Sequence, residues 1–434
     1  ELTSTSYNAN HKYFVDGAPG FGDAYWGASW HTVLVGTLGA GGKSVFALDI
    51  TDPDSPMDAG KVLWEFDGGA HASKMGYVFG PAGVARFHDG NFYAVFANGY
   101  GSADKQAGLF LVRVDNPTDY IYIDTKYGSA AAENGLSTVK LVDLNNDRIV
   151  DAIYAGDLQG NLWKFDVSDT VAANWKTSLG SVASPKPLFV AKDAGGKRQP
   201  IQGQVSVSLP PPGVSGNAMV FFGTGRYFVK GDSTNLDIQS FYGVLDRDGE
   251  DTLGRGDLWT QSVVFEGAMG SQEVRVTSGN PPDWSAKRGW VMDLLPPDKA
   301  AHGERVIAPP LLRYGRVIFN TILPSADDPC HQGSGWLMEL DAATGANLSY
   351  AALDINGDGE FTTDDAVAYT DALGNSVSSP AAGVKSGSMS LNQPTVVTAG
   401  NKEYKFTSNV DGGIGSVTEK TSSTMGRTSW RQLQ

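Results

Sequence analysis

The chain has 434 residues, of which 41% are hydrophobic and 10% aromatic, enough for a sizeable core and incompatible with a fibrous or disordered chain. Asp and Glu outnumber Lys and Arg by 48 to 33, and the net charge of −15 makes free nucleic acid and anionic lipid poor partners while favouring divalent cations. The single cysteine, Cys330, excludes an internal disulfide framework, an iron–sulfur cluster or a cysteine-based zinc site.

No apolar run reaches the roughly 18 residues that a spanning helix needs, so no membrane span is expected in this chain. The sequence opens Glu1-Leu2-Thr3 rather than with Met, which predicts a segment processed or excised from something longer. In an exported segment, Cys330 would either stay a free thiol or pair with a cysteine outside this chain.

Taken in order, the chain reads as short β-like runs broken by Gly, Asp and Asn. The runs are 31–36, 44–50, 61–66, 91–97, 108–115, 138–142, 152–155, 161–166, 218–223, 240–245, 289–294, 316–322 and 336–341. Val, Phe, Tyr and Trp enrich them, as a pleated, packed surface requires. Residues 209–213 (LPPPG) form the one Pro-rich stretch and read as a loop. Helical periodicity is nearly absent. The one helix expected is short, residues 363–373, with Thr362 or Thr363 as N-cap and acidic residues in its first turn.

One phrase recurs: an aromatic or aliphatic strand end, then Asp, then a turn. It stands as Phe46-Ala47-Leu48-Asp49, Trp64-Glu65-Phe66-Asp67, Trp163-Lys164-Phe165-Asp166 and Leu337-Met338-Glu339-Leu340-Asp341, the last continuing Ala342-Ala343-Thr344-Gly345. Propeller blades turn from strand to strand in this way, because blades packed face to face need strands apolar on both sides and polar turns at their ends. The expected class is therefore all-β, one β-propeller domain over 1–434 with inserted loops; β-sandwiches in series would instead need Pro/Ser-rich linkers.

Two carboxylate loops carry the strongest chemistry. In 143–151 (DLNNDRIVD), side-chain oxygens fall at positions 1, 3, 5 and 9: Asp143, Asn145, Asp147 and Asp151. The carbonyl of Ile149 sits at position 7. Three carboxylates, an amide, a main-chain oxygen and water make a shell suited to Ca2+, which takes six to eight oxygens in flexible geometry. The loop departs from an EF-hand at position 6, where Arg148 replaces Gly, and at position 12, where Tyr154 replaces Glu. In 354–365 (DINGDGEFTTDD) the ligands would be Asp354, Asn356, Asp358, the carbonyl of Glu360 and Asp365, with Gly359 at position 6, close to the loop of dockerin modules. The expected helix follows it, giving a loop–helix insertion over 351–373. The plain alternatives are a polar turn and a hairpin tip.

Other motifs fail or stay weak. Residues 36–44 (GTLGAGGKS) miss the phosphate-loop spacing at Thr37 and read as a Gly-rich hairpin. The six histidines are scattered, and no GxSxG elbow occurs. Arg255, Gly256 and Asp257 form a tripeptide of the kind integrins read, but three residues recur often by chance and a polar turn before Leu258-Trp259 is the better account.

Residues 142–166 (VDLNNDRIVDAIYAGDLQGNLWKFD) resemble the signature of the C-terminal propeller of the PilC/PilY family, associated with type IV pilus tips and biogenesis. Stretches that agree in order include Tyr13-Phe14-Val15-Asp16-Gly17, Ala97-Asn98-Gly99-Tyr100, Phe222-Gly223-Thr224-Gly225-Arg226-Tyr227, Gly303-Glu304-Arg305-Val306 and Gly426-Arg427-Thr428-Ser429-Trp430-Arg431. The resemblance implies a modified seven-bladed propeller, exported to the pilus tip, outer membrane or periplasm of a Gram-negative bacterium. It implies no enzyme activity. It further implies Ca2+-dependent control of pilus extension and retraction, hence twitching motility, together with adhesion. Minor pilins of the tip complex and host-cell or surface receptors would be the partners. Two other classes compete: a quinoprotein dehydrogenase, whose blades carry similar Trp and LDxxTG phrases, and a carbohydrate-binding propeller.

Overall fold

The computed structural model describes residues 11–249, 251–270, 272–325 and 333–421. Cys330 and the 426–431 motif lie outside the described residues. The chain divides into two compact units, one of residues 1–209, 215–218 and 246–255, the other of residues 210–214, 219–245 and 256–434.

In the first unit, β1 (Gly20–Trp26), β2 (Ser29–Thr37), β3 (Val45–Asp49) and β4 (Val62–Phe66) form an antiparallel meander. A second meander follows: β5 (Gly83–Arg86), β6 (Phe92–Ala97), β7 (Gly108–Arg113) and β8 (Tyr120–Asp124). The third sheet is built on β9 (Lys140–Val142), β10 (Ala152–Gly156) and β11 (Asn161–Asp166), and extends through Phe189–Val190 to Leu253–Gly254. Every run expected from sequence is a strand. The Gly-rich stretch 36–44 is a turn between paired strands, Thr37 opposite Val45.

Two-sided burial explains why these runs are apolar throughout rather than alternating. On β6 and β7, Tyr93, Val95, Ala97, Leu109 and Leu111 pack into a core with Ile153, Ala155, Trp163 and Phe165 of the third sheet. Their neighbours Ala94, Phe96, Phe110 and Val112 face the other way, into a core with Val33, Val35, Val45, Ala47, Trp64 and Phe66 of the first sheet. Period-two side chains thus serve two cores at once. Each large side chain buried in this manner contributes roughly 1.5–3 kcal/mol.

The second unit is built on larger sheets whose strands are not paired in chain order. One sheet runs in the order Ala218–Gly223, Ser240–Asp246, Gly289–Asp293, Trp259–Gln261; a six-stranded sheet holds Val263–Met269, Gln272–Thr277, Gly383–Ser386, Gly335–Asp341, Arg316–Asn320 and Leu311–Arg313. Phe241 and Phe319 stack between them at 3.8 Å between ring centroids. Thr395–Ala399, Lys402–Ser408 and Ile414–Lys420 form a three-stranded sheet. It meets the six-stranded sheet through a buried ionic cluster: Arg316 pairs with Glu339 at 2.5 Å and Glu403 at 3.2 Å, and Lys405 pairs with Glu339 at 3.3 Å and with Glu419.

The helix expected over 363–373 does not form. A single 3-10 turn at Thr363–Asp365 gives way to a hairpin of Ala366–Thr370 and Ser376–Pro380. The segment AVAYT alternates with period two, Val367 buried and Ala368 exposed, so the strand pattern overrides the N-cap signal.

Asp157, in the turn joining β10 to β11, is the polar hub of the third sheet. Its fully buried carboxylate accepts from Asn134 Nδ2, Asn161 Nδ2 and Trp163 Nε1, each at 2.8 Å, and from the backbone N–H of Gln159 and Asn161, each at 2.9 Å. Burial pushes its pKa up, against the downward pull of the Asn161, Trp163 and Asn134 donors. Asp157→Ala strands several buried donors, and chemical denaturation is expected to show a loss of about 2–4 kcal/mol; a loss below half a unit would deny Asp157 this role.

Candidate metal-binding loops

The first loop, residues 143–151, connects neighbouring strands β9 and β10, whose ends pair as Val142 with Ala152. Asp143 draws the loop around itself. Its Oδ2 accepts the N–H of Arg148 at 2.7 Å, and its Oδ1 accepts from Asn146 at 2.6 Å and from Asn145 and Asp147 at 3.2 Å. Desolvation acts upward on this carboxyl, but the four N–H groups win and hold its pKa below the usual range. Asn145 Oδ1 accepts from the Asp147 N–H at 2.9 Å, and Asp147 Oδ1 from the Ile149 N–H at 2.8 Å. The buried Asp151 closes the loop, its Oδ2 accepting the Leu144 N–H at 2.7 Å.

The second loop begins where residues 352–354 run beside the strand Ile414–Lys420, with the Asp354 N–H donating to Thr418 at 3.1 Å. Its hydrogen bonds repeat those of the first. Asp354 Oδ2 accepts from Gly359 at 2.9 Å, Asn356 Oδ1 from Asp358 at 2.8 Å, and Asp358 Oδ1 from Glu360 at 2.7 Å. The buried Asp365 accepts the Ile355 N–H at 3.1 Å. In both loops, then, position 1 accepts from position 6, position 3 from 5, position 5 from 7, and the closing carboxylate from position 2. Closure comes at position 9 in one and position 12 in the other.

The backbone agrees. Positions 4 and 6 are left-handed in both loops, at φ 65° and 70° for Asn146 and Arg148 and at 78° and 77° for Gly357 and Gly359. Arg148 therefore adopts the conformation that glycine would take more easily, and its presence does not break the loop. Tyr154, at position 12 from Asp143, belongs to β10 and is fully buried, so Asp151 closes the loop instead.

Exposure follows the same order: Asp143 and Asp354 are half-buried, Asn145, Asp147, Asn356, Asp358 and Glu360 exposed, Ile149 half-buried. Lys402 stands beside the second loop, since a Cβ on Gly359 would fall 2.6 Å from its Nζ. Among the described residues no three His, Cys, Asp or Glu side chains gather into a ready metal cluster.

The loops and the tripeptide are separate features. Arg255–Asp257 is a 3-10 turn, with Gly256 and Asp257 exposed. Lys287 Nζ donates to the Gly256 carbonyl at 2.6 Å and the Arg288 N–H to the Asp257 carbonyl at 2.7 Å. No motif marks His88, whose Nε2 lies 2.8 Å from Asp151 Oδ1. A histidine in a turn 63 residues before its partner has no spacing to mark it.

The family model of the PilY1 beta-propeller domain matches residues 1–271. The chain belongs to the PilY1 β-propeller family. It is 38% identical over 348 residues to a type IV pilus biogenesis factor PilY1 homolog of Xylella fastidiosa, covering 77% of this chain and 23% of that protein. To the type IV pilus biogenesis factor PilY1 of Pseudomonas aeruginosa it is 34% identical over 392 residues, covering 82% of this chain and 33% of that one. The crystal structure of the Pseudomonas aeruginosa PilY1 C-terminal domain superposes with a TM-score of 0.76 at 29% identity, over 95% of this chain and 86% of that domain. The chain thus spans 23% to 33% of the length of these PilY1 proteins. Among the described residues no helix is long and apolar enough to cross a membrane.

The shared backbone of the two loops has a measurable consequence. Gly359→Ala should destabilise the fold by about 1–2 kcal/mol, the usual cost of a left-handed non-glycine residue. Arg148→Gly should be neutral or stabilising. Urea denaturation of both variants checks this, and a clear loss of stability in Arg148→Gly would contradict the strain argument.

Proposed function

We propose that this chain is a non-enzymatic, Ca2+-binding module of the type IV pilus, acting in pilus biogenesis, in the balance of extension and retraction that drives twitching motility, and in surface attachment. The observation that carries the calcium reading is the hydrogen-bond skeleton common to two loops of unrelated closure. Such agreement is not needed for a solvated turn. It orients hard oxygen donors of the type Ca2+ takes. Carboxylates alone do not complete either cage. In the first loop Asp143, Asp147 and Asp151 would act with the amide of Asn145 and the carbonyl of Ile149, and in the second Asp354, Asp358 and Asp365 with Asn356 and the carbonyl of Glu360. The bound ion would offset carboxylate repulsion and stabilise the fold by mass action.

The pilus assignment follows from the family and from the names its relatives carry. Minor pilins of a tip complex are the partners we infer, with the module exported to the pilus tip or cell surface of a Gram-negative bacterium. We take the architecture as a seven-bladed propeller in one domain over 1–434, with 351–373 inserted; the six-stranded sheet of the second unit is wider than one four-stranded blade.

Calorimetric titration of the chain with Ca2+ should give two equivalents. Asp147→Ala or Asp151→Ala should remove one, Asp358→Ala the other, and at Ca2+ about 100-fold above Kd each intact site should add about 2.7 kcal/mol to stability. Unchanged stoichiometry in Asp147→Ala would remove the first loop from consideration.

A second reading, a carbohydrate-binding surface, is favoured by one feature. Trp30 and Phe21 are 61% and 78% exposed, and Tyr25 stands opposite Trp30 on the same face of the β1–β2 hairpin, 5.4 Å between centroids. Flat exposed rings accept the apolar faces of sugars. A glycan array should return discrete binding that Trp30→Ala abolishes at unchanged Tm; an array without binding would dispose of this reading.

A further inference from the structure

We infer that His88 is a positioning residue for the first loop, holding the Asp151 carboxylate in place and, through it, fastening the loop to the turn between β5 and β6. The inference rests on the Ca2+ reading of residues 143–151 given above.

The turn reaches the loop at two points. His88 Nε2 lies 2.8 Å from Asp151 Oδ1, and the Val150 N–H donates to the Arg86 carbonyl at 3.1 Å. A carboxylate only accepts, so the ring nitrogen is the donor. Asp151 therefore spends one hydrogen bond on each oxygen: Oδ2 on the Leu144 N–H at 2.7 Å and Oδ1 on His88. Each oxygen keeps a further lone pair. Both side chains of the contact are largely buried, His88 at 17% and Asp151 at 10% exposed, so water competes weakly for it.

The position of His88 is itself secured from both sides. Phe87 before it is fully buried and packs on Tyr93 and Trp175, with centroids 5.3 and 5.2 Å away. Asp89 after it accepts from Tyr93 Oη at 2.7 Å and from Asn91 Nδ2 at 2.8 Å and N–H at 3.0 Å. The Phe87 N–H closes the turn on the Asn91 carbonyl at 2.9 Å. The imidazole is thus carried on a short, locked turn of one sheet and aimed at the closing ligand of a loop in the next.

Outer hydrogen bonds to a ligating carboxylate set its orientation, and their loss typically weakens metal binding by about 10- to 100-fold. His88 would do this for the one buried carboxylate of the loop. Because the same residue belongs to the second sheet, order in the loop would be transmitted to the 86–91 turn.

The test uses the full chain in an Asp354→Ala background, so that only the first loop can respond, with Ca2+ alone as probe. Calorimetry should show His88→Ala binding about 10- to 100-fold more weakly than its parent. His88→Phe, which keeps a ring but no donor, should behave alike, and His88→Gln, which keeps a side-chain N–H, should recover part of the loss. Hydrogen exchange should show Ca2+ slowing the amides of 86–91 in the parent but not in His88→Ala. Should His88→Ala fail to fold, as judged by melting in chelator, His88→Phe carries the comparison. Affinity within twofold of the parent in both variants, with the same protection of the turn, would overturn the inference and leave the Ca2+ reading standing. A parent that takes up no Ca2+ would overturn both.

Discussion

Strands β6 and β7 have no solvent face. Side chains on one side of them fill a core with the first sheet, and those on the other fill a core with the third. A sheet enclosed in this way cannot present reactive or binding groups from its flanks, because a polar group placed there would need a buried partner. In the neighbouring third sheet Asp157 shows the demand: it gathers five donors, Trp163 among them. Chemistry is thereby displaced to the turns, and the oxygen-rich segments of this chain are connections: one between two strands of a single sheet, the other leading into a hairpin.

The two loops reach one backbone by different means. The second uses glycine at both left-handed positions, as its conformation invites. The first places Asn146 and Arg148 there and holds them with four N–H bonds to one carboxylate. Strain of this order persists only where the surroundings over-determine it. The closing carboxylates also differ in their support. Asp365 accepts from Ile355 and Thr362 within its own loop, whereas Asp151 borrows a partner from another sheet.

Much of this was legible in the residues. Continuous apolar runs between polar turns marked the enclosed strands, and the oxygen spacing in 143–151 and 354–365 marked both loops. Strands with other signatures were hidden. Gly20–Trp26 carries two glycines that lower its strand signal, and Lys402–Ser408 reads as a solvated strand because Glu403 and Lys405 look like surface charges. In fact both are fully buried among Arg316, Glu339 and Glu419, a pairing that depends on residues as many as 87 positions away. The expected helix over 363–373 failed for a local reason, a period-two segment mistaken for a continuation of its cap. His88 was invisible because only the packing of sheets brings it to Asp151.

Val142 and Ala152 are register partners, so the two ends of the first loop are pinned side by side by the sheet that bears them. The entropy of bringing chain ends together, which a free nonapeptide would have to surrender on closing, has been lost already in forming β9 and β10. A synthetic peptide copied from 143–151 is for that reason a poor stand-in for the loop, while the same nine residues grafted between two antiparallel strands of another scaffold would inherit the pinned ends but not the contacts of His88 and Arg86.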